Sequence, residues 1–102
     1  MGDNMKIENT TNGNEMELAL SGRLDTITAP QLEAELKKNI DGITSLLFDF
    51  SDLEYLSSAG LRVLLAAQKV MNKQGSMVIK NVNDTIMEIF EVTGFADILT
   101  IK

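Results

Sequence analysis

The sequence predicts a single small α/β domain, in which a mixed sheet of four or five strands carries its helices mainly on one face. Strand-like and helix-like segments alternate along all 102 residues in the order ββαβαβαβ. The segments between successive parallel strands are long enough for right-handed helical crossovers. The composition, 44% hydrophobic and 24% charged, is typical of a globular protein. We therefore treat residues 1–102 as one domain, with residues 1–4 expected to be disordered.

The first half of the chain begins with a predicted hairpin. Polar and apolar residues alternate over residues 5–8 and 15–20, and Asn12-Gly13-Asn14 between them tolerates the positive φ of a tight turn. Gly22 ends the second strand. Thr26 or Thr28 is the expected N-cap of a helix that has Pro30 in its first turn and extends to about Ile40.

The second half contains two further strand-helix units. A buried strand is predicted from Ser45 to Phe50, followed by a helix from Leu61 to Lys73 that Gly75 ends. The next strand covers residues 77–79, and Asp84 is the expected N-cap of the last helix. Residues 98–101 are expected to add a short final strand.

The turn Ser57-Ser58-Ala59-Gly60, between the central strand and its helix, is the candidate functional site. We call it the serine elbow. A strand-to-helix turn directs backbone N–H groups and the positive end of a helix dipole to one point, which suits a hydroxyl, a carboxylate or a phosphate. Either serine could instead be a simple helix cap, a role worth about 1 kcal/mol that requires no partner.

The composition excludes most other chemistries. The chain has no His and no Cys, which removes His-assisted hydrolysis, thiol nucleophiles and the usual zinc ligands. Asp49, Asp52 and Glu54 near the elbow could hold Mg²⁺, although solvated loop acids explain them as well. No cofactor motif is visible, so we expect no cofactor, no metal site and no enzyme activity.

Charge and hydropathy limit the partners. The formal charge is -6 and Lys37-Lys38 is the only pair of adjacent bases, so nucleic acid is not expected as a partner. No apolar run is long enough to span a bilayer and no signal segment is visible, which predicts a cytoplasmic protein without membrane insertion.

Leu53-Glu54-Tyr55-Leu56-Ser57-Ser58-Ala59-Gly60-Leu61 resembles the signature of bacterial anti-sigma factor antagonists of the STAS domain family. Ser21-Gly22-Arg23-Leu24-Asp25 and Val92-Thr93-Gly94-Phe95 resemble two other segments of that family, so the resemblance covers essentially the whole chain. It implies an anti-anti-sigma factor, which binds an anti-sigma factor with serine kinase activity and is inactivated by phosphorylation. A serine phosphatase would reset it. The alternative is a constitutive STAS interaction module of a transporter or lipid-transport complex.

The resemblance also implies the site residues. The phosphorylated serine of the family lies two residues before the elbow glycine, which here is Ser58, with Ser57 as the second candidate. Apolar residues on more than one face of the Leu61 helix predict either an exposed docking patch around Arg62 and Gln68 or a helix buried on two sides. The expected partner-binding residues, with Asp25 also explicable as a turn or cap residue, are Asp25, Ser57, Ser58, Ala59, Gly60 and Arg62.

Overall fold

A computed structural model describes residues 5–102, and the prediction of disorder for residues 1–4 lies outside the described residues. The elements are β1 (Met5–Asn12), β2 (Glu15–Leu24), α1 (Ala29–Asn39), β3 (Ser45–Leu56), α2 (Ser58–Gln74), β4 (Ser76–Lys80), α3 (Asp84–Thr93) and a short 3₁₀ helix, Phe95–Asp97. The strands form one sheet in the order β1-β2-β3-β4. The β1–β2 pair is antiparallel and the other two pairs are parallel, so the predicted mixed sheet and its opening hairpin are confirmed.

The core lies between one face of the sheet and the three helices. Leu18, Phe48 and Ile79 are adjacent on β2, β3 and β4, and all three are fully buried. The helices add apolar side chains to the same cluster, among them Leu36, Leu64 and Phe90. Met71 is fully buried, and Met87 is partly buried and packs against the cluster.

The central strand β3 is longer than the sequence predicts, because it continues past Phe50 to Leu56. Two register shifts interrupt its pairing with β2, between Ala19 and Ser21 and between Gly22 and Arg23. Such bulges place an extra residue in one strand and rotate the side chains that follow. As a result β3 and β2 end together at the paired residues Leu24 and Leu56, directly before the serine elbow.

Two helix starts differ from the expectation: α2 begins at Ser58, three residues before Leu61, and α3 has a different N-cap. The N-cap of α3 is Asn83, whose side chain accepts a hydrogen bond from the Ile86 N–H at 2.9 Å, and not Asp84. The N-cap of α1 is Thr28, one of the two threonines expected there, and its hydroxyl makes no capping bond. Gly75 follows α2 in an extended conformation, and a side chain there would meet the backbone carbonyl of Thr44.

The expected final strand is reduced to a single parallel bridge between Ile79 and Ile101. The Ile79 N–H donates to the Thr100 carbonyl, and the Lys102 N–H donates to the Ile79 carbonyl, both at 2.9 Å. The residues directly before the expected strand, Phe95–Asp97, form the 3₁₀ helix. The chain therefore reaches the edge strand β4 only near Ile101. β4 itself contains five residues, which limits how far a neighbour can pair.

Candidate functional site

The serine elbow is held against the end of β2 by the backbone. The Ser57 N–H donates a hydrogen bond to the Leu24 carbonyl at 2.9 Å. Leu24 and Leu56 are paired, and both side chains are buried. The first turn of α2 therefore begins at the carboxyl end of two neighbouring parallel strands, at a position fixed by the core.

Ser57 is the N-cap of α2. Its backbone is extended and its Oγ accepts a hydrogen bond from the Gly60 N–H at 3.5 Å, while its carbonyl accepts from the Leu61 N–H at 3.0 Å. The side chain is half-buried. These contacts give Ser57 the local capping role that the sequence left open for both serines.

Ser58 is the first residue of α2, and its side chain is exposed. Its hydroxyl has no hydrogen-bond partner among residues 5–102. No acidic residue lies in the first turn of this helix. Of the two elbow serines, Ser58 therefore presents the accessible hydroxyl, next to the positive end of the α2 dipole.

Ala59 and Gly60 shape the elbow from the inside. Ala59 is half-buried against the core, and Gly60 is buried. A Cβ at Gly60 would lie 2.7 Å from both Leu24 Cγ and Leu56 Cδ1, closer than packed carbon atoms approach. The glycine lets α2 begin directly on top of the two strand ends, and it offers no side chain to a partner.

Asp25 organises the turn between β2 and α1. Its Oδ1 accepts hydrogen bonds from the N–H groups of Ile27 and Thr28 at 3.0 and 3.1 Å. The Arg23 Nε lies 3.5 Å from the other carboxylate oxygen. The hydrogen bond from Thr28, assisted by those from Ile27 and Arg23, lowers the pKa of Asp25 below its ordinary value of 3.8. This geometry gives Asp25 the turn role that the sequence predicts as one of its two possibilities.

The same turn exposes groups that the sequence analysis did not identify. The Ile27 side chain is 78% exposed, although isoleucine is usually buried. Beside it the Arg23 guanidinium lies over the Tyr55 ring, 4.2 Å from the ring centroid. No sequence pattern marks Ile27, because a single apolar residue in a polar turn has no period.

An open groove of about 400 Å³ lies between α1 and α2. Thr26, Ala59 and Arg62 line it at the elbow end, and Val70, which is 38% exposed, lines it further along α2. Of the two residues around which an exposed patch was one of the two expectations, Arg62 is exposed, whereas Gln68 is buried and donates to the Asn72 Oδ1 at 2.9 Å.

The carboxylates near the elbow belong to no cluster of three or more Asp or Glu side chains within residues 5–102 that could share a metal ion. Asp49 accepts hydrogen bonds from the Asn81 side chain and the Ser51 N–H, both at 3.0 Å. These contacts, Asn81 first, lower the pKa of Asp49. Asp52 and Glu54 are exposed on the adjoining part of β3.

Among residues 5–102, no helix is long and apolar enough to cross a membrane.

Comparison with known proteins gives a consistent result. The model of the STAS domain family matches residues 6–102. BtrV of Bordetella bronchiseptica is 39% identical over 84 residues, which cover 80% of this chain and 72% of BtrV. The anti-sigma-B factor antagonist of Staphylococcus aureus is 31% identical over 101 residues, covering 97% of this chain and 94% of the relative. The crystal structure of an anti-sigma factor antagonist from Mycobacterium paratuberculosis superposes with a TM-score of 0.86 at 22% identity, covering 95% and 84% of the two chains.

The fold is thus the one seen in a solved anti-sigma factor antagonist, and the family model matches nearly the whole chain. The chain belongs to the STAS domain family, in the group of the anti-sigma factor antagonists.

Proposed function

We propose that this protein is an anti-anti-sigma factor controlled by phosphorylation of Ser58. The unmodified chain would bind an anti-sigma factor that has serine kinase activity, so that the sigma factor is released. The relatives named as antagonists of anti-sigma factors support this partner. The observation that carries the proposal is the exposed Ser58 hydroxyl at the start of α2, beside a second serine already engaged in capping.

The chain itself would catalyse nothing. The kinase would transfer the γ-phosphoryl group of ATP to the Ser58 Oγ, forming an O–P bond as the bond to ADP breaks, and a base of the kinase would take the hydroxyl proton. A serine phosphatase would hydrolyse the ester and restore the hydroxyl. We place this cycle in the cytoplasm and assign the chain, as one domain, no cofactor.

The surface for docking would be the elbow with its surroundings. Ser58 and Arg62 contribute exposed polar groups from α2, and the Asp25 turn lies beside them, because the Leu24 carbonyl binds the Ser57 N–H. Ser57, Ala59 and Gly60 would act mainly through the backbone and shape of the elbow, since they are half-buried or buried.

Phosphorylation would block docking electrostatically without refolding the domain. A phosphoserine adds a charge of about -1.5 to -2 at neutral pH. Within a contact from which water is excluded, an unpaired charge is strongly unfavourable. Each factor of ten in affinity corresponds to about 1.4 kcal/mol, so one such charge suffices to open the complex.

The direct test has two parts. First, the protein is purified from its host under two growth conditions, and intact mass with peptide mapping locates any phosphate. We expect phosphate at Ser58 whose amount varies with condition. A chain that is never modified would instead favour the constitutive interaction module of a transporter or lipid-transport complex.

Second, the anti-sigma kinases of the host are purified one at a time, and their affinity for the chain is measured with three variants. We expect Ser58→Ala to bind with ATP present or absent, Ser58→Asp to bind weakly, and Ser57→Ala to behave as the wild type and still incorporate phosphate. Equal, tight binding by Ser58→Ala and Ser58→Asp would contradict the mechanism. Loss of phosphate only in Ser57→Ala would move the site to Ser57.

A further inference from the structure

Arg62 lies one helical turn after Ser58 on the same face of α2. The two residues are four positions apart, both are exposed, and an α-helix of 3.6 residues per turn places such residues side by side. Helical side chains lean toward the N-terminus of their helix. An Arg62 side chain that leans in this direction comes within reach of a phosphate on Ser58.

Arg62 has no ion-pair partner among residues 5–102. The cations that do form ion pairs there are Lys6, Arg23, Lys37 and Lys80. α2 itself contains no Asp or Glu. Glu33 lines the groove beside Arg62, but it pairs with Lys37 at 3.6 Å. Within residues 5–102, no carboxylate thus forms an ion pair with the Arg62 guanidinium.

We propose that Arg62 binds the phosphate of phosphorylated Ser58, as a clamp across the first turn of α2. This inference rests on the proposed function only in taking Ser58 as the modified hydroxyl. The planar guanidinium offers pairs of N–H donors that match two phosphate oxygens. An anion four residues before a cation is the favourable order for such a pair on a helix.

The clamp gives the switch a second component. In the unmodified chain Arg62 is an exposed cation that a carboxylate on the anti-sigma factor can bind. In the phosphorylated chain the phosphate binds Arg62, so the partner loses a cation and meets an anion at the same place. The net charge of this pair of residues changes from about +1 to between about -0.5 and -1.

The clamp can be tested without any kinase. The full chain is produced with phosphoserine incorporated genetically at position 58, and the phosphate is titrated by ³¹P NMR at low ionic strength. Because Arg62 stabilises the dianion, we expect the second phosphate pKa, ordinarily about 6, to be lower in the wild type than in Arg62→Gln by roughly 0.3. Arg62→Lys, which keeps the charge but loses the planar fork, should show an intermediate value.

Lys69→Gln is the matched control. It removes one exposed cation from the same helix, about 10 Å further along its axis than Arg62 at about 1.5 Å per residue. Its phosphate pKa should equal that of the wild type. Identical pKa values in the wild type and Arg62→Gln would overturn the clamp, and so would equal shifts in Arg62→Gln and Lys69→Gln.

This outcome is independent of the proposed function, because the phosphoserine is incorporated genetically and no kinase of the host is needed. If the clamp is present but the host never phosphorylates Ser58, the peptide mapping rejects the switch and leaves the clamp standing. If the host phosphorylates Ser58 but Arg62→Gln leaves the phosphate pKa unchanged, the switch stands and the clamp is rejected.

Discussion

The Leu24 carbonyl accepts a hydrogen bond from the Ser57 N–H at 2.9 Å, and this bond joins the end of β2 to the start of α2. The Asp25 turn follows Leu24 directly, and Ser58 follows Ser57. Two segments that are far apart in sequence are therefore fixed side by side in the fold. The candidate docking surface is a consequence of this connection, and its two serines have different environments because of it.

The first prediction separates the two serines by stability. Ser57→Ala removes the cap of α2, so we expect a loss in the free energy of unfolding of about 0.5 to 1 kcal/mol, at the lower end because the 3.5 Å bond is long. Ser58→Ala should change it by less than about 0.5 kcal/mol, since the Ser58 hydroxyl is exposed and unbonded among the described residues. Urea denaturation measures both values. A larger loss in Ser58→Ala would reverse the assignment of the cap.

The second prediction concerns Gly60. At an open helical position a change from glycine to alanine stabilises a protein, by up to about 1 kcal/mol. In Gly60→Ala the new methyl group would meet Leu24 and Leu56, which are both buried and cannot move aside freely. We therefore expect the opposite sign, a destabilisation of about 1 to 3 kcal/mol in urea denaturation.

A double-mutant cycle checks the cause of that loss. Leu24→Ala is itself destabilising, but it removes one of the two side chains that the new methyl group would contact and leaves Leu56 in place. The cost of Gly60→Ala should therefore be smaller in the Leu24→Ala background than in the wild type. Equal costs in the two backgrounds would show that the contact with Leu24 is not responsible.

The sequence predicts the order of the elements well but places the end of the central strand too early. The reason lies in Phe50, Leu53 and Leu56, which are all buried in β3 although they are three residues apart. A regular strand buries every second residue. The register shifts against β2 change that spacing, and no pattern in the local sequence reveals a bulge that depends on a neighbouring strand.

The position of the site follows from local chemistry, whereas the difference between its serines does not. Small residues before an apolar helix are enough to locate the elbow. Which serine caps and which is exposed depends on the bond to Leu24 and on the packing of Gly60 beneath the turn. The exposure of Ile27 likewise depends on how the Asp25 turn directs one side chain to solvent.

The third prediction uses the lowered pKa of Asp25. Because hydrogen bonds to the carboxylate lower its pKa in the folded chain, the unfolded chain binds the proton more readily. This contribution to stability is fully present above the ordinary value of 3.8, and it is lost as the pH falls through the folded pKa. We expect Asp25→Asn to flatten the decline in the urea midpoint of the wild type below about pH 4.

Asp49→Asn is the comparison for that experiment. The pKa of Asp49 is also lowered, chiefly by the Asn81 side chain. Asp49→Asn should therefore also flatten the decline in the urea midpoint below about pH 4. The two residues differ in position, because only Asp25 belongs to the turn beside the elbow. Under the proposed function Asp25→Asn should weaken partner binding and Asp49→Asn should not. A wild-type midpoint that stays constant below pH 4 would contradict both assignments.

The last prediction concerns Ile27, whose side chain is 78% exposed beside the elbow. Exposed apolar side chains gain from burial in a complex, and those near the centre of an interface contribute most of its affinity. Ile27→Ser should therefore leave the free energy of unfolding within about 0.5 kcal/mol of the wild type. It should weaken binding of the unphosphorylated chain to its anti-sigma kinase by about tenfold or more, measured by calorimetric titration.

Val92→Ser provides a closely matched control, since Val92 is 79% exposed and lies near the end of α3, outside the elbow and the Asp25 turn. It removes a comparable exposed apolar surface, so any general effect of surface hydropathy on binding would appear in both variants. We expect Val92→Ser to bind as tightly as the wild type. If the two variants lost affinity equally, Ile27 would have no special place in the complex. If neither lost affinity, the partner would contact α2 without reaching the Asp25 turn.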